Sequence, residues 1–413
     1  MTHQAFPTGF LWGAAGAAHQ VEGGNVNSDY WLLEHIPGAP FVEPSGDACD
    51  HYHRYPDDIA LLASLGFNAY RFSIEWARIE PEPGEFSKAA LDHYRRMLAA
   101  CHQHGLTPIV TYHHFTSPRW FAARGGWETT ANADLFARYC ERATAHLGDM
   151  IGAACTLNEP NVGLLIQRMG WFPPDDEIAQ APYQAAAARA AGSDRFVVFP
   201  YCRQEAARDT FLKAHRLAFD AIKAGPGNFP VGLTLAMSDH QAVPGGEAVR
   251  DRVRAEIDDV FLDTARADDF IGVQTYSRTR FGPDGVLPPE DGVPVVQMGY
   301  EFWPEALEAT VRYAAAYTGR PVLVTENGIG TEDDAQRLEY VRRALLGLQR
   351  CLRDGVDVRG YCYWSMLDNF EWGQGYRPKF GLIAVDRATQ ARAVKPSAEW
   401  LGQVAQANAL PAE

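Results

Sequence analysis

Basic charge is scarce in this sequence: 37 Lys and Arg stand against 52 Asp and Glu, a net charge of -15 over 413 residues. Nucleic acids and anionic membrane surfaces are gripped by basic patches, so neither is expected as a partner. Apolar runs of membrane-spanning length are missing too. Met1 to Phe6 carries neither the basic start nor the apolar stretch of a secretory signal, and a cytoplasmic protein is expected. The seven cysteines (Cys49, Cys101, Cys140, Cys155, Cys202, Cys351, Cys362) are odd in number and scattered, mostly inside apolar runs. That is the pattern of a reduced protein, not of a disulfide framework. No glycine-rich phosphate turn follows the first strand candidate, which weighs against a dinucleotide-binding sheet. No linker separates differently patterned halves, so residues 1–413 read as one domain.

What is present is ample core material, 46% apolar and 12% aromatic. Short apolar or β-branched runs alternate with stretches of helical spacing. Strands are expected at 9–15, 69–76, 108–114, 154–160, 231–235, 270–276, 321–328 and 358–365. Helices are expected between them. Ile59, Leu61, Leu62 and Leu65 mark one that stops at Gly66; Leu91, Tyr94, Met97, Leu98 and Cys101 mark another that stops near Gly105. Leu135 to Leu147 stops at Gly148, a further helix surrounds Phe211 to Phe219, and Leu338 to Leu352 stops at Gly355. Past residue 160 the pattern loosens, and Pro173-Pro174-Asp175-Asp176 with an alanine-rich stretch reads as a long excursion before the helix around Phe211. Strands separated by helices pair in parallel through right-handed crossovers. Eight of them suit a single (β/α)8 barrel, with extended strand-to-helix loops taking up the length beyond a typical ~250 residues.

Two strands end in the same way. Pro321-Val322-Leu323-Val324-Thr325-Glu326-Asn327-Gly328 is a doubly buried run closed by a carboxylate and a turn. Ala154-Cys155-Thr156-Leu157-Asn158-Glu159-Pro160 repeats the design, with a proline that forbids regular pairing beyond it. Carboxylates at the carboxyl ends of barrel strands sit where such folds do chemistry. A pair of them suits glycosidic bond cleavage, in which one acid protonates the leaving oxygen and the other attacks or stabilises the sugar carbon.

With this pair in view the chain resembles glycoside hydrolase family 1, the retaining β-glycosidases. The resemblance covers nearly the whole chain and its motifs come in the family's order. They are Phe10-Leu11-Trp12-Gly13, Gln20-Val21-Glu22-Gly23, Tyr70-Arg71-Phe72-Ser73-Ile74, the two glutamate segments and Asp368-Asn369-Phe370-Glu371-Trp372. It implies an exo-acting enzyme on terminal β-glucosyl, β-galactosyl or β-fucosyl residues of a small glycoside or oligosaccharide, with no cofactor and no metal. It makes Glu159 the acid/base and Glu326 the nucleophile. Arg71 and the Tyr276 hydroxyl keep Glu326 ionised, and Asn158 bonds the sugar 2-hydroxyl. The resemblance gives Gln20, His114, Trp364, Glu371 and Trp372 to the sugar. Glu371 would take two hydroxyls, and the indoles would offer flat faces to the ring. His113 points to the other side of its strand from His114 and is expected to cap or pack. A cis peptide between Trp364 and Ser365 is implied as well.

Four positions depart from the family: Gln274 and Thr275 where many members have Asn and Tyr, Phe115 where many have Trp, and Glu75 where many have a small residue. Glu75 shares strand parity with Arg71, so an extra acid is expected near the site. His51-Tyr52-His53 lacks a third ligand at metal-site spacing and is expected to be structural. Two other functions are compatible with the motifs. One is a 6-phospho-β-glycosidase, for which Tyr376 and Lys379 are the nearby phosphate candidates, although the acid at Glu371 would repel a phosphate. The other is a sugar-binding barrel without turnover, although such proteins usually lose one carboxylate and both stand here.

Overall fold

The computed structural model describes residues 5–411; the first four, on which part of the signal-sequence reading rests, lie outside them. The barrel strands are β1 (Leu11–Gly16), β2 (Ala69–Ser73), β3 (Thr107–His113), β4 (Ala153–Asn158), β5 (Val231–Ala236), β6 (Phe270–Gln274), β7 (Val322–Asn327) and β8 (Val358–Trp364). Each pairs in parallel with its sequence neighbours, and β8 returns to β1, with Leu11 opposite Gly360 and Ala15 opposite Trp364. The expected (β/α)8 barrel is the fold.

Helices cover the outside: α1 (His51–Ser64), α2 (Lys88–Gln103), α3 (Ala133–Leu147), α4 (Gln204–Ala224), α5 (Val260–Ala265), α6 (Ala306–Thr318), α7 (Asp334–Arg353) and α8 (Pro396–Ala407). Their boundaries follow local chemistry. Ser87 and Asp333 cap α2 and α7 by accepting from the backbone N–H groups of Ala90 and Ala335. Gly355, just past α7, takes φ +88°, a conformation cheap only for glycine. α7 buries Tyr340, Val341, Ala344, Leu345, Leu348 and Cys351, one stripe of a 3.6-residue period. Each such leucine contributes about 2 kcal/mol of burial.

Two differences from the sequence reading have clear causes. α6 escaped notice because alanines and tyrosines dilute its periodicity, although Leu307, Val311 and Ala314 face inward. The excursion after β4 is itself helical, at Val162–Arg168, Asp175–Gln180 and Pro182–Ala190. A small accessory sheet pairs Asp239–Ala242, Arg278–Gly282 and Gly285–Val286 beside the barrel mouth. Among the described residues no helix is long and apolar enough to cross a membrane, and all seven cysteines are free and buried.

The turn after β7 is decided by space, not by dihedral freedom. A Cβ on Gly328 would lie 2.0 Å from the Trp364 carbonyl oxygen. Only glycine lets β7 and β8 approach that closely at their carboxyl ends.

Candidate active site

β2 carries Arg71 in its middle, side chain inward and fully buried. A buried guanidinium is tolerable when charge and oxygen meet most of its donors, and here both terminal nitrogens are met while Nε has no partner among the described residues. Its Nη1 donates to Glu326 Oε1 at 2.6 Å and its Nη2 to Asn158 Oδ1 at 2.6 Å. The Tyr276 hydroxyl donates to the other Glu326 oxygen at 2.5 Å. Groups from β2 and from the segment just after β6 thus converge on one carboxylate at the end of β7. Asn327 locks that end, its amide donating to the Thr275 carbonyl (2.6 Å) and to the Tyr340 hydroxyl (3.1 Å) and accepting from the Tyr361 hydroxyl (2.9 Å).

Glu159 follows β4 directly, at φ +45°, a strained conformation for a glutamate. Asn161 secures the turn by exchanging hydrogen bonds with the Ala236 backbone at 2.7 and 3.0 Å. Among the described residues, Glu159, Phe115 and Trp372 account for three of the seven non-glycine residues at positive φ, and all three line one cavity. Strain gathered at one cavity is a mark of a functional site.

That cavity, of about 440 Å³, opens at the carboxyl ends of the strands and also takes in Glu326, Tyr276, His114, Trp364 and Glu371. Gln20, Arg71 and Asn158 stand behind its wall. The Gln20 amide nitrogen donates to the Phe370 carbonyl (2.8 Å) and to Glu371 (3.3 Å), and Asn369 donates to the same Glu371 oxygen at 3.1 Å. Buried Gln20 Oε1 and His114 Nδ1 have no hydrogen-bond partner among the described residues. The His114 ring stacks at 20° on Trp364 and at 21° on Trp372. Asn158 Nδ2 donates to His114 Nε2 at 3.2 Å. All ten residues singled out from the sequence are brought together here.

The two glutamates differ electrostatically. Burial and then the charge of Glu326 push the Glu159 carboxyl well above the ordinary carboxylate range. No side-chain hydrogen bond reaches Glu159 among the described residues, so nothing opposes the rise except the more distant pull of Arg71. Burial raises Glu326 too, but Arg71 and Tyr276 pull it back. A proton shared by the pair therefore resides on Glu159. Burial pushes Glu371 up to about 8, against the Asn369 hydrogen bond. It also drives His114 well below the usual imidazole value, so that ring is neutral. One protonated and one ionised carboxyl can perform acid-assisted displacement at an acetal carbon.

The departures divide. Gln274 and Phe115 line the cavity. Thr275 is fully buried and meets Thr310 of α6 at 2.7 Å. Glu75 corrects the expectation of an extra acid near the site: β2 ends at Ser73, so strand parity no longer applies at 75. Its carboxylate caps the helix Trp76–Ile79, accepting from Ala77 N at 3.1 Å and Thr116 Oγ1 at 2.7 Å, and does not line the cavity. His113 packs as expected, on Ser117 (3.0 Å) and Trp127. His51 bonds Asp58 (2.8 Å) and Tyr70 (3.2 Å), while His53 bonds Asp50 on the surface. The Trp364–Ser365 peptide is cis.

The sequence profile of Glycosyl hydrolase family 1 matches residues 2–281 and 286–410. The chain belongs to this family. It is a glycoside hydrolase of β-glycosidase type. Beta-glucosidase A of Thermotoga maritima is 32% identical, over 99% of this chain and all of that protein. A bifunctional beta-D-glucosidase/beta-D-fucosidase of Bifidobacterium breve is 31% identical, over 96% of this chain and 97% of that one. Among solved structures, the beta-glycosidase BGL167 superposes with a TM-score of 0.94 at 57% identity, covering 99% of this chain and 98% of that one.

Sequence reasoning placed the leaving-group side of the site chiefly on residues 161–228 but named no residue of the outer half of the cavity, where Val162, Leu165, Met169, Met237, Met298 and Tyr300 contribute. These lie on segments that leave and re-enter the barrel mouth far apart in the chain. No local pattern joins them.

Proposed function

We propose that this glycoside hydrolase is a retaining exo-β-glycosidase, acting as one catalytic unit in the cytoplasm without cofactor. It removes terminal non-reducing β-D-glucosyl residues and also accepts β-galactosyl and β-fucosyl residues. The carrying observation is the asymmetry between Glu326, held by Arg71 and Tyr276 at 2.6 and 2.5 Å, and Glu159, which lacks such partners. Glu326 attacks the anomeric carbon while Glu159 gives its proton to the leaving oxygen, and a glycosyl ester forms. Esterification removes the Glu326 charge that raised Glu159, so Glu159 becomes a base toward water, which cleaves the ester with the original anomeric configuration. Asn158 donates to the 2-hydroxyl, and Glu371, Gln20 and His114 take the remaining hydroxyls between Trp364 and Trp372. The names of the Thermotoga and Bifidobacterium relatives support the glucoside and fucoside choices.

The phosphorylated-substrate reading lacks support in the geometry. The Tyr376 hydroxyl is bonded to the Ser45 carbonyl and Lys379 Nζ to the Tyr376 carbonyl at 2.8 Å, and neither residue lines the cavity. The test is a panel of p-nitrophenyl β-glycosides, with methanolysis products read by NMR. A β-methyl glucoside is expected from the β-glucoside; an α-methyl product would end the retaining proposal. Labelling by a 2-fluoro-glucosyl fluoride should map to Glu326.

A further inference from the structure

The cavity continues past Glu159, on the side the leaving group must occupy, and most of the lining there is apolar. The helix Val162–Arg168 begins three residues after Glu159 and turns Val162, Leu165 and Ile166 toward the cavity, its i, i+3 and i+4 positions. Met169 and Trp171 extend that wall outward, and Met237 and Met298 face it from other loops. Trp171 is 46% exposed, a large indole left at a mouth where folding alone would have covered it. It stacks at 21° and 6.3 Å on Tyr300.

Most polar side chains along the same stretch are already engaged, and Gln374 gives its side-chain carbonyl oxygen to Arg377. Ser238 Oγ meets Thr279 at 2.7 Å, and Ser277 Oγ donates to the Glu301 carbonyl at 2.7 Å. The Arg278 guanidinium bonds Glu301, Glu290 (2.6 Å) and Gln241 (3.1 Å) and lies over Trp303. The Tyr300 hydroxyl is buried and has no partner among the described residues, enough for one hydrogen bond. A second hexose would bring several hydroxyls into this space, and each one stripped of water without a partner costs affinity. An apolar group brings no such penalty, and methionines adapt to its shape.

We propose that this outer compartment selects an apolar aglycone, alkyl, aryl or fused-ring, in preference to a second sugar. The assignment rests on the β-glycosidase reading of the same site and narrows its substrate class. It separates this chain from relatives such as the 1,4-beta-D-glucan glucohydrolase of Thermotoga neapolitana, whose name states a sugar polymer as substrate.

Steady-state kinetics of the full chain on methyl β-D-glucoside, n-octyl β-D-glucoside and cellobiose test it, since all three leaving groups are unactivated alcohols. Each buried methylene is worth about fourfold, so kcat/KM should be about fiftyfold or more higher for octyl than for methyl glucoside. Octyl glucoside should also exceed cellobiose. Trp171→Ala and Ile166→Asn should each shrink the octyl-to-methyl ratio, read as a ratio so that any common loss cancels. A ratio near one, or cellobiose as the best of the three, would overturn the assignment while leaving the glycosidase reading intact. Absence of turnover on these three and on p-nitrophenyl β-glucoside alike would remove both.

Discussion

Gln274 Nε2 donates to Asn158 Oδ1 at 2.9 Å, sharing that oxygen with Arg71 at 2.6 Å. With both donors on the carbonyl oxygen, the Asn158 amide has one orientation, and its nitrogen is turned toward His114. A position that departs from the family pattern therefore holds the group expected to meet the sugar 2-hydroxyl.

Gln274→Leu removes one of the two donors. An oriented hydrogen bond of this kind contributes about 1–1.5 kcal/mol, so kcat/KM on p-nitrophenyl β-glucoside should fall about tenfold. The 2-deoxy-glucoside, which lacks the contact, should lose much less. Equal losses on both substrates would make Gln274 a packing residue only.

Glu159 and Glu326 should separate by leaving group. Glu159→Gln removes acid assistance, worth about 10²–10⁴-fold, on methyl β-glucoside. On 2,4-dinitrophenyl β-glucoside, whose phenol leaves unaided, the glycosylation step should be nearly spared, and azide should rescue turnover as β-glucosyl azide. Glu326→Ala should abolish turnover on both. Equal loss in Glu159→Gln across both leaving groups would contradict the acid role.

Stability should depend on pH through Glu371. Its folded value, up to about 8, lies above the ordinary 4.5. The native state therefore binds this proton more tightly than the unfolded chain. That stabilisation is present below about pH 4.5 and is lost as pH rises through about 8. The loss is on the order of a few kcal/mol. Glu371→Gln keeps the hydrogen-bonding shape without the titration, so its Tm should fall less than wild type between pH 6 and 9, while affinity for glucose-like inhibitors drops. Parallel Tm profiles would refute the assignment.

Asn327 tests how the nucleophile strand is held. Asn327→Ala leaves the Thr275 carbonyl and the Tyr340 and Tyr361 hydroxyls each short of a buried partner. The expected cost is about 2–4 kcal/mol in urea unfolding. Activity should fall as well, because Glu326 is the adjacent residue. An unchanged unfolding midpoint would show that water replaces the amide.

Much of this protein was decided locally and was therefore legible in the sequence. Short β-branched runs between helical stripes dictate a parallel barrel, because strands buried on both faces and joined by helices have few other ways to pair. Glu159 and Glu326 stood out because each ends such a run, and a barrel gathers its strand ends on one face. Tertiary structure decided the rest. Parity from Arg71 pointed Glu75 to the site, but β2 stopped at Ser73 and Glu75 became a helix cap. Gly328 is required by a carbonyl some 36 residues along the chain, at Trp364. The apolar wall joins Val162, Met237 and Met298, which only barrel closure brings within reach of one substrate. Periodicity records which face of an element is buried; it carries no information on what will stand opposite.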